Sequence, residues 1–291
     1  MDIRALLMGL AFALMWSSAF TSARIIVQDA PPLASLSLRF FLSGLLGVLI
    51  AKALGQSWNL TRSQWRAVFV FGLCQNALYL GLNFVAMQTV EASLASIIAS
   101  SMPLLVAGIG WVLLKDRLPA QGVIGLLLGI FGVVIIMGAR FGGNADLVGM
   151  ALCVVGALAL AIATLAMRGA SSGGNLLMIV GLQMFVGAII LGVVSLATET
   201  LYVNPSLKLT LAFAYTTLVP GLLATFIWFS LVERIGAVRA STFHFLNPFF
   251  GVAIAALLLG ENLGRMDIVG VIVITVGILL VQLSKQKPTG S

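Results

Sequence analysis

Charged side chains are scarce in this sequence. Only 9% of its 291 residues are charged, whereas an average soluble domain carries about 25%. The 16 Lys and Arg and 9 Asp and Glu residues are too few to cover a globular surface of this size, which excludes a soluble Rossmann or TIM-barrel enzyme. The net charge of +7 comes from scattered residues that form no basic stripe, so a nucleic-acid-binding protein is also excluded. With 60% hydrophobic residues and a mean hydropathy of +1.14, the chain is predicted to be an integral membrane protein.

Cysteine and histidine are almost absent. The two cysteines, Cys74 and Cys153, lie in separate apolar stretches, and His244 is the only histidine. Neither a disulfide framework nor a zinc site is predicted, and we expect no metal or other cofactor. No Walker A motif occurs, which argues against direct use of ATP. A single histidine and the lack of acidic residues inside the apolar stretches argue against an intramembrane enzyme.

Apolar stretches long enough to cross a bilayer fill nearly the whole chain. A spanning helix needs about 20 mostly apolar residues, and ten such segments are separated by short polar loops. Their predicted bounds are 3–27, 33–54, 66–88, 91–114, 119–138, 147–168, 175–197, 209–232, 238–260 and 266–284. No stretch is left that could fold as a soluble domain, so the function must reside within the bilayer.

The two halves of the chain repeat each other. A shift of 145 residues aligns 90–136 with 235–281 without a gap and gives ten identities in 47 positions, with Pro103 on Pro248. We therefore predict a five-helix repeat over residues 1–140, a second over 146–284 and a polar tail over 285–291. Because five is odd, the second repeat is inserted upside down. Inverted repeats of this kind are typical of secondary transporters, which bind their substrates at the repeat interface.

Lys and Arg are distributed unevenly between the loops. With the N-terminus inside, eleven of them fall on the cytoplasmic side and four on the other side. The positive-inside rule therefore predicts that both termini are cytoplasmic.

Paired motifs in the two halves resemble a known family. The motifs are Ser100-Ser101-Met102-Pro103 with His244-Phe245-Leu246-Asn247-Pro248, Lys115-Asp116-Arg117 with Gly260-Glu261-Asn262, and the early Trp16-Ser17-Ser18-Ala19-Phe20. These motifs resemble those of the EamA repeats in the drug/metabolite transporter (DMT) superfamily, and the resemblance covers essentially the whole chain. Within that superfamily the sequence is similar to the amino-acid and metabolite exporters of the YddG type. The resemblance implies a multi-pass protein of the bacterial inner membrane that exports amino acids, aromatic ones especially. The partners expected are then a small-molecule substrate and the lipid bilayer, with no nucleic acid and with the chain as a monomer.

Polar and aromatic side chains inside the spans are candidates for lining a central cavity. Polar groups are costly in a bilayer, so each needs a reason to be there. Helix packing is the alternative in every case, and for His244 it would be a hydrogen bond to a neighbouring helix. The predicted substrate-binding residues are Trp16, Asn76, Tyr79, Asn83, Ser100, Trp228, His244 and Asn247.

Two prolines and one arginine complete the set of unusual residues. Pro103 and Pro248 each remove a helix hydrogen bond at the same register of the two repeats, so we predict that they act as hinges. Arg39 lies about seven residues into the second span. It is expected either to snorkel to the surface or to pair with Asp29 or Glu91, and an anion-attracting vestibule is the alternative.

The absence of acidic residues in mid-membrane bears on energy coupling. Pumps driven by protons or sodium commonly keep a carboxylate there, so a facilitator working by alternating access is the simpler expectation, with His244 as the candidate for proton coupling. A drug or metabolite efflux pump and a nucleotide- or sugar-type carrier stay open as alternatives. A channel also stays open, although no filter-like repeat or ring of pore-lining charges is present.

Overall fold

The computed structural model of the chain describes residues 3–140, 146–166, 172–262 and 264–284. All regular secondary structure in these ranges is helical. The polar tail predicted at 285–291 lies outside the described residues, as do Arg168 and the end of the span predicted at 147–168.

Fourteen α-helices, two π-helical segments and one 3-10 segment make up the described chain. The first half contains α1 (Ile3–Asp29), α2 (Pro32–Ala53), α3 (Arg62–Phe71), a π-helix (Gly72–Leu80), α4 (Gly81–Ala86), α5 (Ala92–Ser100), α6 (Met102–Leu113) and α7 (Ala120–Arg140). The second half contains α8 (Leu147–Ala166), α9 (Leu176–Thr198), α10 (Leu207–Leu218), a π-helix (Val219–Leu223), α11 (Ala224–Ile235), α12 (Ala237–Ala240), a 3-10 helix (Ser241–Leu246), α13 (Asn247–Leu259) and α14 (Arg265–Ser284).

These helices combine into the spans expected from hydropathy. Nine continuous helical stretches of the described residues are long and apolar enough to cross a membrane, and the shorter apolar helix Ala120–Ile136 supplies the tenth predicted segment. The bounds agree closely: the span predicted at 209–232 is Leu207–Val232, and that predicted at 175–197 is Leu176–Thr198. The expected all-helical, multi-pass membrane fold is confirmed.

Four spans of the described residues contain an irregular or interrupted helical segment. The spans that contain α3 and α10 each pass through a π-helix, and Pro220, which has no N–H to donate, lies in the second of these segments. The spans that contain α5 and α13 are interrupted just before Pro103 and Pro248, which occupy the first turns of α6 and α13. Such segments are frequent at functional sites and hinges. The irregularities recur at corresponding positions of the two halves.

The chain divides into two compact units, and each takes helices from both halves of the sequence. Unit 1 comprises Met1–Thr21, Val90–Met150 and Leu223–Ser291, and unit 2 comprises Ser22–Thr89 and Ala151–Leu222. The compact units are therefore not the two sequence repeats. The repeat bounds 1–140 and 146–284 stay a prediction.

Glycines bring α7 and α14 into close contact within unit 1. A Cβ added at Gly125 would lie 2.7 Å from the carbonyl oxygen of Gly277, and one added at Gly277 would lie 2.5 Å from the backbone nitrogen of Gly129. Small residues allow such close approach of backbones, as is common between membrane helices.

A carboxylate holds the start of α5 in the same unit. Glu261 follows α13 and accepts the backbone N–H groups of Ala92 and Ser93, at 2.8 and 3.0 Å. The first N–H groups of a helix have no partner inside the helix, and negative charge is favourable there. Glu261 therefore caps α5 from a residue 169 positions away.

In unit 2, α2 and α9 cap each other. Glu199, just after α9, accepts the N–H groups of Leu33 and Ala34 at the start of α2, at 2.8 and 3.0 Å. Gln56, just after α2, accepts the N–H of Met178 at the start of α9, at 3.0 Å. The residue after each helix thus supplies a polar group to the start of the other helix. These bonds fix the positions of α2 and α9 relative to each other along their axes.

Candidate functional site

Four ring-bearing side chains of unit 1 form the aromatic–imidazole cluster, which consists of Phe12, Trp16, Trp228 and His244. The ring of Phe12 lies 5.7 Å from that of Trp16, 4.7 Å from that of Trp228 and 5.3 Å from that of His244. The rings of Trp228 and His244 lie 5.1 Å apart. Phe12 is buried, whereas the other three side chains are only partly buried. Phe12 is therefore the buried member of the cluster, and part of the surface of each of the other three side chains is exposed.

The imidazole of His244 is oriented by its own segment. Asn247 Nδ2 lies 2.9 Å from His244 Nδ1. An amide NH₂ is a donor, and the imidazole Nδ1 accepts this hydrogen bond in the Nε2–H tautomer. Asn247 Oδ1 is buried and has no hydrogen-bond partner, so it is an unsatisfied acceptor next to the ring.

Pro248 accounts for the local backbone around these residues. His244 lies in the 3-10 helix that precedes α13, and the N–H of Asn247 is bonded to its carbonyl oxygen. Pro248 cannot donate the α-helical bond to that carbonyl, so the tighter bond takes its place. Ser17 donates its hydroxyl to the carbonyl oxygen of Asn247 at 3.2 Å, which ties α1 to the start of α13.

The corresponding interruption in the first half carries different groups. Ser100 donates its hydroxyl to the carbonyl oxygen of Ser96 within α5, at 2.7 Å, so its hydrogen is already used. Pro103 follows the break at Ser101 and is buried. The prolines predicted as hinges thus both coincide with helix interruptions, and their movement stays a prediction.

The polar residues predicted on the third span lie in unit 2 and are buried in helix contacts. Asn76 donates its side-chain NH₂ to the carbonyl oxygen of Gln183 on α9, at 2.9 Å. Asn83 donates to the carbonyl oxygen of Tyr79 at 2.7 Å, and Gly156 packs against both residues. The bond of Asn76 and the contact with Gly156 are those expected for helix packing, which was the alternative for this stripe. The bond of Asn83 lies within its own span, and its Oδ1 is buried without a hydrogen-bond partner among the described residues. Their role in binding substrate stays a prediction.

Arg39 is buried and does not snorkel. Its side chain is only 6% exposed, and Nε donates to the carbonyl oxygen of Thr216 at 3.2 Å. Within the described residues it forms no ion pair, so the expected pairing with Asp29 or Glu91 is wrong as well. Pro220, four residues after Thr216, has no N–H to donate to the carbonyl of Thr216, and Arg39 donates to this carbonyl instead of reaching the surface.

Two residues that carry these arrangements were not singled out by sequence reasoning. Phe12 reads as ordinary apolar core, although it precedes Trp16 by four residues and so shares a helix face with it. Pro220 lies in an apolar run. Because proline has no N–H, its presence in a span could have predicted the missing helix hydrogen bond at this position.

Comparison with known proteins identifies relatives over the full chain. The model of the EamA-like transporter family matches twice, over residues 3–138 and 147–283. The inner membrane transporter YedA of Escherichia coli, itself uncharacterized, is 26% identical over 284 residues, which cover 96% of this chain and 91% of YedA. The aromatic amino acid exporter YddG of Ancylobacter novellus is 30% identical over 139 residues, or 48% of each chain.

A protein crystal structure shares the fold, with a TM-score of 0.69 at 20% identity over 97% of this chain and 98% of the other. The match of the family model to both halves, together with the all-helical, multi-pass architecture of the described residues, shows that this chain belongs to the EamA-like transporter family, within the DMT superfamily.

Proposed function

We propose that the protein is a secondary transporter that exports neutral and aromatic amino acids from a bacterial cell across the inner membrane. The aromatic–imidazole cluster carries this proposal. Trp16 and Trp228 are partly exposed beside a buried Phe12, and aromatic side chains pair favourably with such rings. The partial match to an aromatic amino acid exporter supports the same substrate class.

Polar groups at the edge of the cluster suit the other end of an amino acid. Asn247 Oδ1 lacks a donor, and a substrate ammonium group is a strong one. In its Nε2–H tautomer the imidazole of His244 has a second ring nitrogen that can donate to a carboxylate. An apolar wall with a few oriented polar groups is the usual composition of a small-molecule site.

Alternating access as a facilitator is the proposed mechanism. Transporters commonly place their sites on interrupted helices, and the cluster lies where the span of α13 is broken before Pro248. The spans contain no described acidic residue in mid-membrane, so we propose that substrate moves down its own gradient. The cytoplasmic placement of both termini follows the bias of Lys and Arg, and the name of YedA supports the inner membrane.

Counterflow in proteoliposomes tests the proposal. Vesicles loaded with unlabelled amino acids are offered labelled phenylalanine, threonine or methionine, with and without a pH gradient. We expect saturable accumulation that is independent of the gradient. Trp228→Ala should raise the KM for phenylalanine about fivefold, since an aromatic contact contributes about 1 kcal/mol, and Trp111→Ala, an exposed tryptophan of the same unit, should leave it unchanged.

Other outcomes would favour a different coupling mechanism or a different substrate class. Accumulation that requires the pH gradient and disappears in His244→Gln would favour proton coupling through His244. No counterflow of any amino acid by folded protein would refute the amino-acid assignment and favour drug-like, nucleotide-type or sugar-type substrates.

A further inference from the structure

We propose that Arg39, Ser43 and Gly221 of unit 2 form a binding site for the carboxylate group of a transported molecule. This inference rests on the proposed transport function. It adds that the transported molecule carries a negative charge, which is bound in unit 2 and not at the aromatic–imidazole cluster of unit 1. The name "carboxylate site" is used below for these three residues.

The first step is the unused hydrogen-bonding capacity of Arg39. A guanidinium group has five N–H donors in a planar fork. Only Nε is occupied, by the carbonyl oxygen of Thr216, so among the described residues both terminal nitrogens keep their donors. A fork of this kind matches a carboxylate through two parallel hydrogen bonds.

The second step is the lack of a counter-charge. Arg39 is 6% exposed and lies seven residues into α2, about 10 Å along the helix axis. No carboxylate of the described residues is paired with it. Charged residues in membrane spans usually face the bundle interior or a cavity and pair with one another or with backbone carbonyls. Within the described part of the chain, Arg39 has the carbonyl of Thr216 but no opposite charge, and an anionic ligand supplies that charge.

The third step is a second polar group and the space between them. Ser43 lies one turn after Arg39 on α2, is 1% exposed, and its hydroxyl has no hydrogen-bond partner. A Cβ added at Gly221 would lie 3.2 Å from the carbonyl oxygen of Thr216, 3.4 Å from Arg39 Nη2 and 3.5 Å from Ser43 Oγ. The absent side chain of Gly221 thus leaves a gap of about one methyl group, bordered by both donors and by that carbonyl oxygen, at the unwound turn beside Pro220.

Binding of benzoate and of benzamide to the purified full-length protein tests the site without depending on transport. The two probes have the same ring and nearly the same size, and only benzoate carries a charge. Saturable stabilisation against heat, followed by tryptophan fluorescence, is expected with benzoate and not with benzamide. Addition of sodium chloride at the same concentrations separates a carboxylate site from a general anion or salt effect, and equal stabilisation by chloride would overturn the proposal.

Four variants locate the site. Arg39→Gln should abolish the benzoate response, and Arg39→Lys should weaken it about tenfold or more, since one charge-assisted hydrogen bond of the fork is lost. Arg24→Gln is the matched control, because Arg24 also donates to a helix-end carbonyl, that of Met87, in the same unit. Gly221→Ala keeps the guanidinium and fills the gap, so it tests the site even if Arg39→Gln does not fold.

The results separate this inference from the proposed function. Benzoate binding that Arg39→Gln and Gly221→Ala abolish would support the site even if no amino acid shows counterflow. Amino-acid counterflow with the same KM in parent and Arg39→Gln, together with equal benzoate binding, would overturn the site and leave the transport function intact. A lower melting temperature of Arg39→Gln with an unchanged benzoate response would show that Arg39 only positions the turn at Pro220, and would also overturn it.

Discussion

Replacing Glu261 by glutamine should loosen the start of α5 selectively. The two carboxylate oxygens accept the N–H groups of Ala92 and Ser93, whose residues are 0% and 2% exposed. Glutamine keeps one acceptor oxygen and places an NH₂ group where the other oxygen lies. One buried N–H is then left without a partner, and the negative charge at the helix start is lost.

The size of the effect follows from these two losses. A hydrogen bond to a charged group contributes about 1.5–3 kcal/mol, and a negative charge at a helix N-terminus contributes about 0.3–1 kcal/mol. We therefore expect Glu261→Gln to lower the free energy of opening α5 by about 2–4 kcal/mol. That corresponds to amide exchange roughly 30-fold faster, or more, at Ala92 and Ser93.

Hydrogen exchange followed by mass spectrometry on the detergent-solubilised protein measures this directly. Glu199→Gln is the matched control, because Glu199 makes the equivalent contacts with Leu33 and Ala34 in unit 2. It should accelerate exchange at the start of α2 and leave α5 protected. Exchange at Ala92 and Ser93 within twofold of the parent in Glu261→Gln would refute the capping argument.

Two further substitutions test the packing within each unit. Gly125→Ala places a methyl group 2.7 Å from the carbonyl oxygen of Gly277, so it should destabilise unit 1 by about 1–3 kcal/mol. Gly138→Ala is the control on the same helix, because its methyl group meets no atom within 4 Å and should be tolerated. An equal melting temperature for the two variants would contradict this prediction. Asn76→Ala removes the hydrogen bond to the carbonyl of Gln183 and should lower the melting temperature without changing the KM for phenylalanine. A raised KM in counterflow would contradict this and support the predicted role of Asn76 in binding substrate.

Hydropathy alone was enough to place the spans. The thickness of the bilayer sets the apolar length of a span, so about 20 consecutive residues are enough to identify one. The segment predicted at 266–284, for example, begins within one residue of α14 (Arg265–Ser284). The prolines also act locally, which is why the interruptions before Pro103 and Pro248 could be expected from the sequence.

Contacts between distant segments could not be predicted in the same way. Arg39 is seven residues into a span, and snorkelling is the ordinary outcome at that depth. Its burial depends on the carbonyl of Thr216, which lies 177 residues away. The stripe of Asn76, Tyr79 and Asn83 was placed on one face by α-helical spacing, but Gly72–Leu80 is a π-helix. The partner of Asn76 is a backbone carbonyl, which has no sequence signature.

The caps of α2 and α5 impose an order in time on the assembly of this membrane protein. Glu199 follows Leu33 by 166 residues, and Glu261 follows Ala92 by 169. A ribosome adds about 5–20 residues per second, so each carboxylate is made roughly 8–34 s after the helix start that it caps. During that interval the first N–H groups of α2 and α5 lack the carboxylates that accept them in the folded chain. Helices made early are thus completed by acidic residues made late, and each unit closes only when the second half of the chain has been synthesised.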